Sequence, residues 1–325
     1  MSLRRCINCA TSLAGDFTKS RTAFQRLPQQ LTLSTSQFTR LPTLCPSPNR
    51  PRLFTTCIPK PSLPPQPSSK EPATSKAERT LKRFWKKVSV KFNPPSAEVQ
   101  PHYTVLLDNR PLKTPGGSIL RVPHDRPLLA SLISHEWNEA KVLKPHTLPF
   151  TSLTARAIDG LTLEEDRKKV CSDLLKYFQT DTICFHEDHP PALVRLQKER
   201  WDPLLDWIRN EFKVQVKTFQ DLLGNNQTLE TLEVFSKHLS NLHPIDLAAF
   251  ERGVLTTKSF MIPVALLSGH LTVEQAAQAA EVEVASQIER WGEVEDSHDV
   301  DHADLRRQLG SVSCASKVGK SGTVV

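Results

Sequence analysis

Glycine is scarce, with 11 residues in a chain of 325. Folds that wrap nucleotides press backbone against phosphate and use glycine to do so. No Gly-x-Gly-x-x-Gly follows a strand-like segment. Gly319-Lys320-Ser321 copies the end of a phosphate loop, but Cys314 stands where its first glycine belongs. A Gly-x-Ser-x-Gly nucleophile elbow is absent too. Long apolar runs are missing. The longest weakly polar stretch, Ser259 to Val273, is interrupted by Pro263 and His270 and is too short to span a bilayer. Cysteine excludes a disulfide framework: of seven, Cys6, Cys9, Cys45 and Cys57 fall near the N-terminus, and Cys171, Cys184 and Cys314 are scattered. That usage fits a reducing compartment.

Acidic residues are almost absent from the first seventy positions, which hold ten Lys/Arg and only Asp16. This segment carries +9, so the other 255 residues sum to −2 although the whole chain is +7. The basic character belongs to a leader. Arg4 and Arg5 are followed by a Ser/Thr/Arg-rich stretch with no uninterrupted apolar core, the composition of a mitochondrial transit peptide rather than a secretory signal. Arg52-Leu53-Phe54 before Thr55-Thr56 has the form of a matrix processing site, so residues 1–54 are expected to be removed on import into the mitochondrial matrix. Cys6-x-x-Cys9 has redox or metal spacing but falls in that leader. The near-neutral remainder lacks the concentrated basic face that nucleic-acid binding needs. The one basic cluster, Lys82 to Lys87, reads as solvated lysines at a strand edge.

Residues 55–78 are Pro/Ser-rich and read as a linker. Across 79–124 the period is two: Val88, Val90 and Phe92 alternate with polar residues, as do Tyr103, Val105 and Leu107 after them. Asp108-Asn109-Arg110 and Pro115-Gly116-Gly117 supply turns, giving a small antiparallel β-rich domain. From 125 to 309 the period is helical. Asp125 is placed to cap and Pro127 to occupy the first turn of a helix through Trp137. Thr151 to Ile158 reads as a second helix. Thr162-x-x-Glu165 and Thr272-x-x-Gln275 have the capping-box spacing. Thr182 to Phe185 is either a strand or an extended link. Pro203 is expected to kink or split the helix that follows Pro190-Pro191. Val214 and Val216 suggest a further short strand, and helices are expected over 228–240, 244–256 and 258–268. The last helix carries Val273, Ala277, Ala280, Val284, Ile288 and Trp291 as one core stripe, ended by Gly292. Residues 310–325 read as a flexible tail. The fold class is α+β: a small N-terminal antiparallel β-rich domain followed by a larger mainly α-helical domain.

Two clusters have residue types suited to metal binding, His186-Glu187-Asp188-His189 and His298-Asp299-Val300-Asp301-His302. Solvated surface is the simpler explanation of both. The sharper feature is acidic. Between Glu281 and Asp304 nine acids face a single base, Arg290, and they surround Trp291. Glu283, Gln287 and Arg290 fall on one polar line of a helix, an arrangement suited to docking a basic partner surface.

Several strings together resemble one family: Arg83-Phe84-Trp85-Lys86-Lys87-Val88, Leu107-Asp108-Asn109-Arg110-Pro111-Leu112-Lys113-Thr114-Pro115, His135-Glu136-Trp137, Tyr177-Phe178-Gln179-Thr180-Asp181-Thr182, Trp201-Asp202-Pro203-Leu204, and Trp291-Gly292-Glu293-Val294-Glu295-Asp296-Ser297-His298-Asp299. They resemble the mitochondrial ATP synthase F₁ assembly factor family, the chaperones of the ATP synthase α subunit. The resemblance runs from about Leu81 to Leu309. It implies a β-rich domain followed by a helical one, no catalysis, no cofactor and no metal. It also implies a holding role, in which the chaperone covers an apolar surface of free α subunit until the β subunit arrives. The family's implicated acidic position falls on Glu283, and the neighbouring motif positions are Gln287, Trp291, Glu293, Glu295 and Asp296. The partner implied is thus the α subunit, with neither nucleic acid nor membrane insertion. The competing reading, a matrix metal-dependent hydrolase, rests on the His/Asp/Glu clusters. N-terminal sequencing of the mature protein tests the leader: a start near Phe54 is expected, and an intact Met1 refutes it.

Overall fold

The computed structural model describes residues 83–97, 99–220 and 226–319. The leader, the linker, the first residues of the β-rich segment and Lys320-Ser321 lie outside these. Four strands open the described chain: β1 (Val88–Asn93), β2 (His102–Leu107), β3 (Arg110–Pro111) and β4 (Arg121–Pro123). β2 is central, pairing antiparallel with each of the others, so β1 is an edge. The turn from β2 to β3 puts Asp108 and Asn109 at positive φ, 47° and 71°, a conformation Asn and Asp tolerate. The Asp108 carboxylate accepts from the backbone N–H groups of Lys86 and Lys87, which hold its pKa down and fasten the strand entry to the turn. Val105, Leu120 and Val122 are fully buried, but Val90 and Phe92 are not: at the edge they stand half in solvent.

The helices are α1 (Pro127–Glu139), α2 (Pro149–Gly160), α3 (Glu164–Gln179), α4 (Pro191–Arg200), α5 (Asp202–Phe212), α6 (Leu229–Asn241), α7 (Pro244–Thr257), α8 (Met261–Leu267), α9 (Val273–Ala280), α10 (Val282–Trp291) and α11 (Ser297–Ala315). α1 packs on β1 and β2, so Leu129 and Ile133 share one core with the sheet. The change from strand to helix near 124 is therefore not a gap in the packing. α7 is the hub, contacting α2, α3, α8 and α11. Its residues Ile245, Leu247, Ala248, Phe250 and Val254 are all buried. α8 approaches so closely that a Cβ on Gly253 would lie 2.9 Å from the Pro263 ring. Around this hub Phe178, Phe235, Phe250 and Phe260 form a chain of tilted and edge-on rings, with centroids 4.7 to 5.4 Å apart, the geometry aromatic quadrupoles favour.

Pro203 splits the helix as expected, sitting in the first turn of α5, which starts afresh after Trp201. The following expectations differ from the structure. Asp125 does not cap α1: Arg126 is the cap residue and no side chain bonds there. Thr162 turns back to the Ile158 carbonyl instead of capping α3, whereas the Thr272/Gln275 capping box forms as expected. Thr182–Cys184 is a single 3₁₀ turn. Val214 and Val216 are buried outside any strand. The expected single helix after Thr272 breaks at Glu281, and Val284 and Trp291 leave the core stripe for solvent. α11 continues past 309 because Val312 and Ala315 bury against the hub; the flexible end expected from 310 does not begin there.

One buried carboxylate joins distant segments. Asp181 accepts from the N–H of Ile183 in its own turn and from the N–H groups of Phe260 and Met261 at the start of α8, at 2.8 to 3.1 Å. Complete burial pushes its pKa up to about 6 against the pull of these donors. Asp181→Ala strands three buried donors and is expected to destabilise the protein by about 3 kcal/mol or more. The native pKa lies above the ordinary value, so native Asp181 binds the proton more tightly than the unfolded chain. Its contribution is present below pH 4 and is lost as pH rises through 6. Urea unfolding should therefore show wild type losing stability relative to Asp181→Asn between pH 4 and pH 7.

Candidate functional site

The strings that carried the resemblance are mostly framework. The Arg83 guanidinium donates to the carbonyls of Trp85, Lys86 and Asn138. The indole of buried Trp85 donates to the Trp137 carbonyl at 3.0 Å, and the Trp137 indole donates to the Thr151 hydroxyl. Glu136 caps α2 from outside that helix, accepting from the N–H groups of Phe150 and Thr151 and from the Thr151 hydroxyl at 2.7 to 2.9 Å. Burial raises its pKa against those bonds. A carboxylate suits a helix N-terminus, where donors lack partners and the dipole is positive. Trp201 is buried and donates to the Ala279 carbonyl, fixing α9 to the start of α5.

The acidic segment differs: it projects. α9 ends at Glu281 because that carboxylate is drawn into α11, where it lies 2.6 Å from His302 Nδ1 and 3.3 Å from Arg306. α10 then starts in a new direction. Val282 and Ser286 face inward, and Glu283, Gln287 and Trp291 follow at four-residue spacing on the outside. Glu283 stands on the rim of a shallow depression lined by Thr182, Ile183, Trp201, Lys258, Ser259 and Ile262. Trp291 is 70% exposed, with the Arg290 guanidinium 5.0 Å from its ring. Gly292, at φ +87°, ends the helix. Glu293, Glu295 and Asp296 form the exposed reversal into α11, held by the Val294 N–H bonding to His298 Nδ1.

Charge is not neutralised here. Of the nine acids, Glu281 pairs with Arg306, Glu289 with Arg195 and Asp304 with Arg307. Among the described residues Glu283, Glu293, Glu295, Asp296, Asp299 and Asp301 have no ion-pair partner. Two apolar residues that sequence reasoning passed over lie among them, Val294 at 60% and Val300 at 65% exposure. Their signal was legible: valines set between carboxylates with no periodicity to bury them. The structure thus brings Trp291, Glu293, Glu295 and Asp296 to one tip, with Gln287 and Glu283 on the helix leading to it.

The histidine clusters find other partners. His186 Nε2 is 3.1 Å from the Ile183 carbonyl, while His298 and His302 make the contacts given above. Among the described residues no group of three or more His, Cys, Asp and Glu side chains is arranged to hold a metal ion. No described helix is long and apolar enough to cross a membrane. Cys184 is buried and its thiol is pushed far up by desolvation, so it is no nucleophile.

The family model described as ATP12 chaperone protein matches residues 82–209. The Schizosaccharomyces pombe protein named "Protein atp12, mitochondrial" is 36% identical over 247 residues, covering 73% of this chain and 83% of its own. Its Saccharomyces cerevisiae namesake is 31% identical over 283 residues, covering 75% and 86%. Among solved structures, an Agrobacterium tumefaciens protein assigned as a chaperone superposes with a TM-score of 0.64 at 30% identity, over 77% of this chain and 93% of that one. Paracoccus denitrificans Atp12 superposes at 0.61 and 28% identity, over 74% and 97%. Two substitutions separate tip from scaffold. Trp291→Ala should change thermal stability by less than about 0.5 kcal/mol, because the ring is not in the core. Gly292→Ala meets open space but a positive φ, and should cost about 1 kcal/mol.

Proposed function

This chain belongs to the ATP12 chaperone family, and we propose from that premise that it holds the unassembled α subunit of the mitochondrial ATP synthase during assembly of the F₁ sector. Its named relatives are chaperones, and it is a chaperone rather than an enzyme. The basic leader and the mitochondrial naming of two relatives support action in the mitochondrial matrix.

The observation that carries the reading is the tip formed by α10, its reversal and the start of α11. An exposed indole and two exposed valines share this segment with carboxylates that have no ion-pair partner among the described residues. An exposed tryptophan is the residue type on which interface energy most often concentrates. Unpaired charge around it steers a basic partner and sets orientation, while the apolar centre supplies most of the holding energy. Glu283 and Gln287 extend this contact along α10. A holding chaperone must also release its client, and a small patch with a charged rim is suited to a complex of moderate lifetime.

Trp291→Ala should weaken α-subunit binding by about 2 kcal/mol, roughly 30-fold, as for a central interface aromatic. Glu283→Lys should slow association and flatten its salt dependence. Co-precipitation from matrix extract and stopped-flow binding at two ionic strengths measure both. Wild-type capture of the α subunit by both variants overturns the assignment of the tip. Soluble, fully assembled F₁ in cells lacking the protein overturns the role.

A further inference from the structure

A second surface with unused bonding groups among the described residues is the outer edge of the sheet. β1 pairs with β2 and with no other strand among the described residues. The ladder phase shows which of its groups are unused. Asp108 donates its N–H to the Lys87 carbonyl, so Lys87 and Asp108 form a hydrogen-bonded pair, and Ser89, Lys91 and Asn93 follow at every second position. The opposite phase on β2 agrees: Val105 accepts from Leu112, on the side away from β1. The N–H and C=O groups of Val88, Val90 and Phe92 therefore point outward from the sheet.

The side chains of the same residues share the core face, since Val90 lies opposite Val105 and Phe92 opposite Tyr103. Yet Val90 is 40% and Phe92 50% exposed. The apolar face runs past the part that α1 covers and stops at an edge that no other described strand pairs. Exposed lysines flank this edge and Pro94-Pro95 close it, but the outward backbone groups within the strand are not blocked. β1 holds no proline, its register is unbroken by a bulge, and its one charge, Lys91, lies on the opposite face with Thr104 and Arg121. The surrounding charge has one sign. Lys86, Lys87 and Lys91 are exposed, residues 83–97 contain no acid, and Asp108 is engaged by backbone donors.

We propose that β1 is a second docking edge, which takes an extended acidic segment of the client polypeptide as an added antiparallel strand. Outward backbone groups supply the pairing, Val90 and Phe92 receive alternate apolar side chains, and the lysines select acidic ones between them. A second copy of this chain is disfavoured as occupant, because its edge would bring the same lysines. The inference takes only the source of the segment, the client, from the chaperone reading.

The test uses the full chain and a fluorescent eight-residue peptide of alternating Glu/Asp and Val/Ile. Anisotropy should report binding of this peptide. Binding should fall at least tenfold for a peptide with Lys in place of the acids, and likewise for an acidic peptide N-methylated at alternate residues. Val90→Pro should reduce binding at least tenfold while leaving the β1–β2 ladder intact, since the lost N–H faces outward. Phe92→Glu is the second variant, and thermal melts establish that both are folded. Trp291→Ala should bind the peptide like wild type, which separates this edge from the acidic tip. The proposal is overturned if the acidic peptide does not bind, if the lysine or methylated peptide binds as well, or if folded Val90→Pro binds normally. Loss of peptide binding in Trp291→Ala also overturns it, as does a concentration-dependent dimer that Val90→Pro abolishes.

Discussion

The carboxylate of Asp181 is the contact on which the helical part depends. It is fully enclosed, and its partners are backbone donors from the turn after α3 and from the start of α8, 79 residues later in sequence for Phe260. Those donors have no helical partner of their own. The aromatic rings of Phe178 and Phe260 flank the same junction, so dispersion and hydrogen bonding fix one geometry from two sides. An ionised group in such a place is held by directed bonds, since desolvation alone would expel it. α8 in turn lies against the hub helix, and the position of α9, α10 and the acidic tip follows from it.

This arrangement separates by physical role two kinds of string that carry the family resemblance. Trp85, Asp108, Glu136, Trp137, Asp181 and Trp201 each spend a polar atom on backbone or on a helix end. They make the scaffold unique. Trp291 and the carboxylates after it make few contacts within the chain, so their chemistry is left for another molecule. A shared motif was thus no guide to which residues face a partner; exposure and unpaired charge decide that.

Much of the fold was legible from periodicity. The alternation of Tyr103, Val105 and Leu107, the proline starts of α1 and α7 and the Thr272 capping box all fell where local physics puts them. Most misses share a cause: a partner outside the expected local pattern overrode it. Glu281 leaves a strong helical pattern because His302 and Arg306 draw it into α11. Thr162 prefers a carbonyl one turn back to a cap. Val312 and Ala315 keep a Ser- and Gly-containing tail helical because the hub offers them a dry surface. At the tip, Trp291 fitted an apolar stripe by spacing alone, and only the redirection of α10 shows that no core lies opposite it. Val90 and Phe92 matched a buried strand pattern for the same reason, though the sheet ends where they stand.

Arg126 links the two ends of the helical region. Its buried guanidinium pairs with Asp246 and also donates to the carbonyl of Ala315, 189 residues away. Closing such a loop carries an entropic cost that only the finished core repays. A chain emerging N-terminus first from a ribosome therefore displays the sheet and early helices before the hub helix supplies Asp246, and completes the Arg126 contacts only when Ala315 arrives. A chaperone built this way passes through a period in which its own apolar faces stand uncovered.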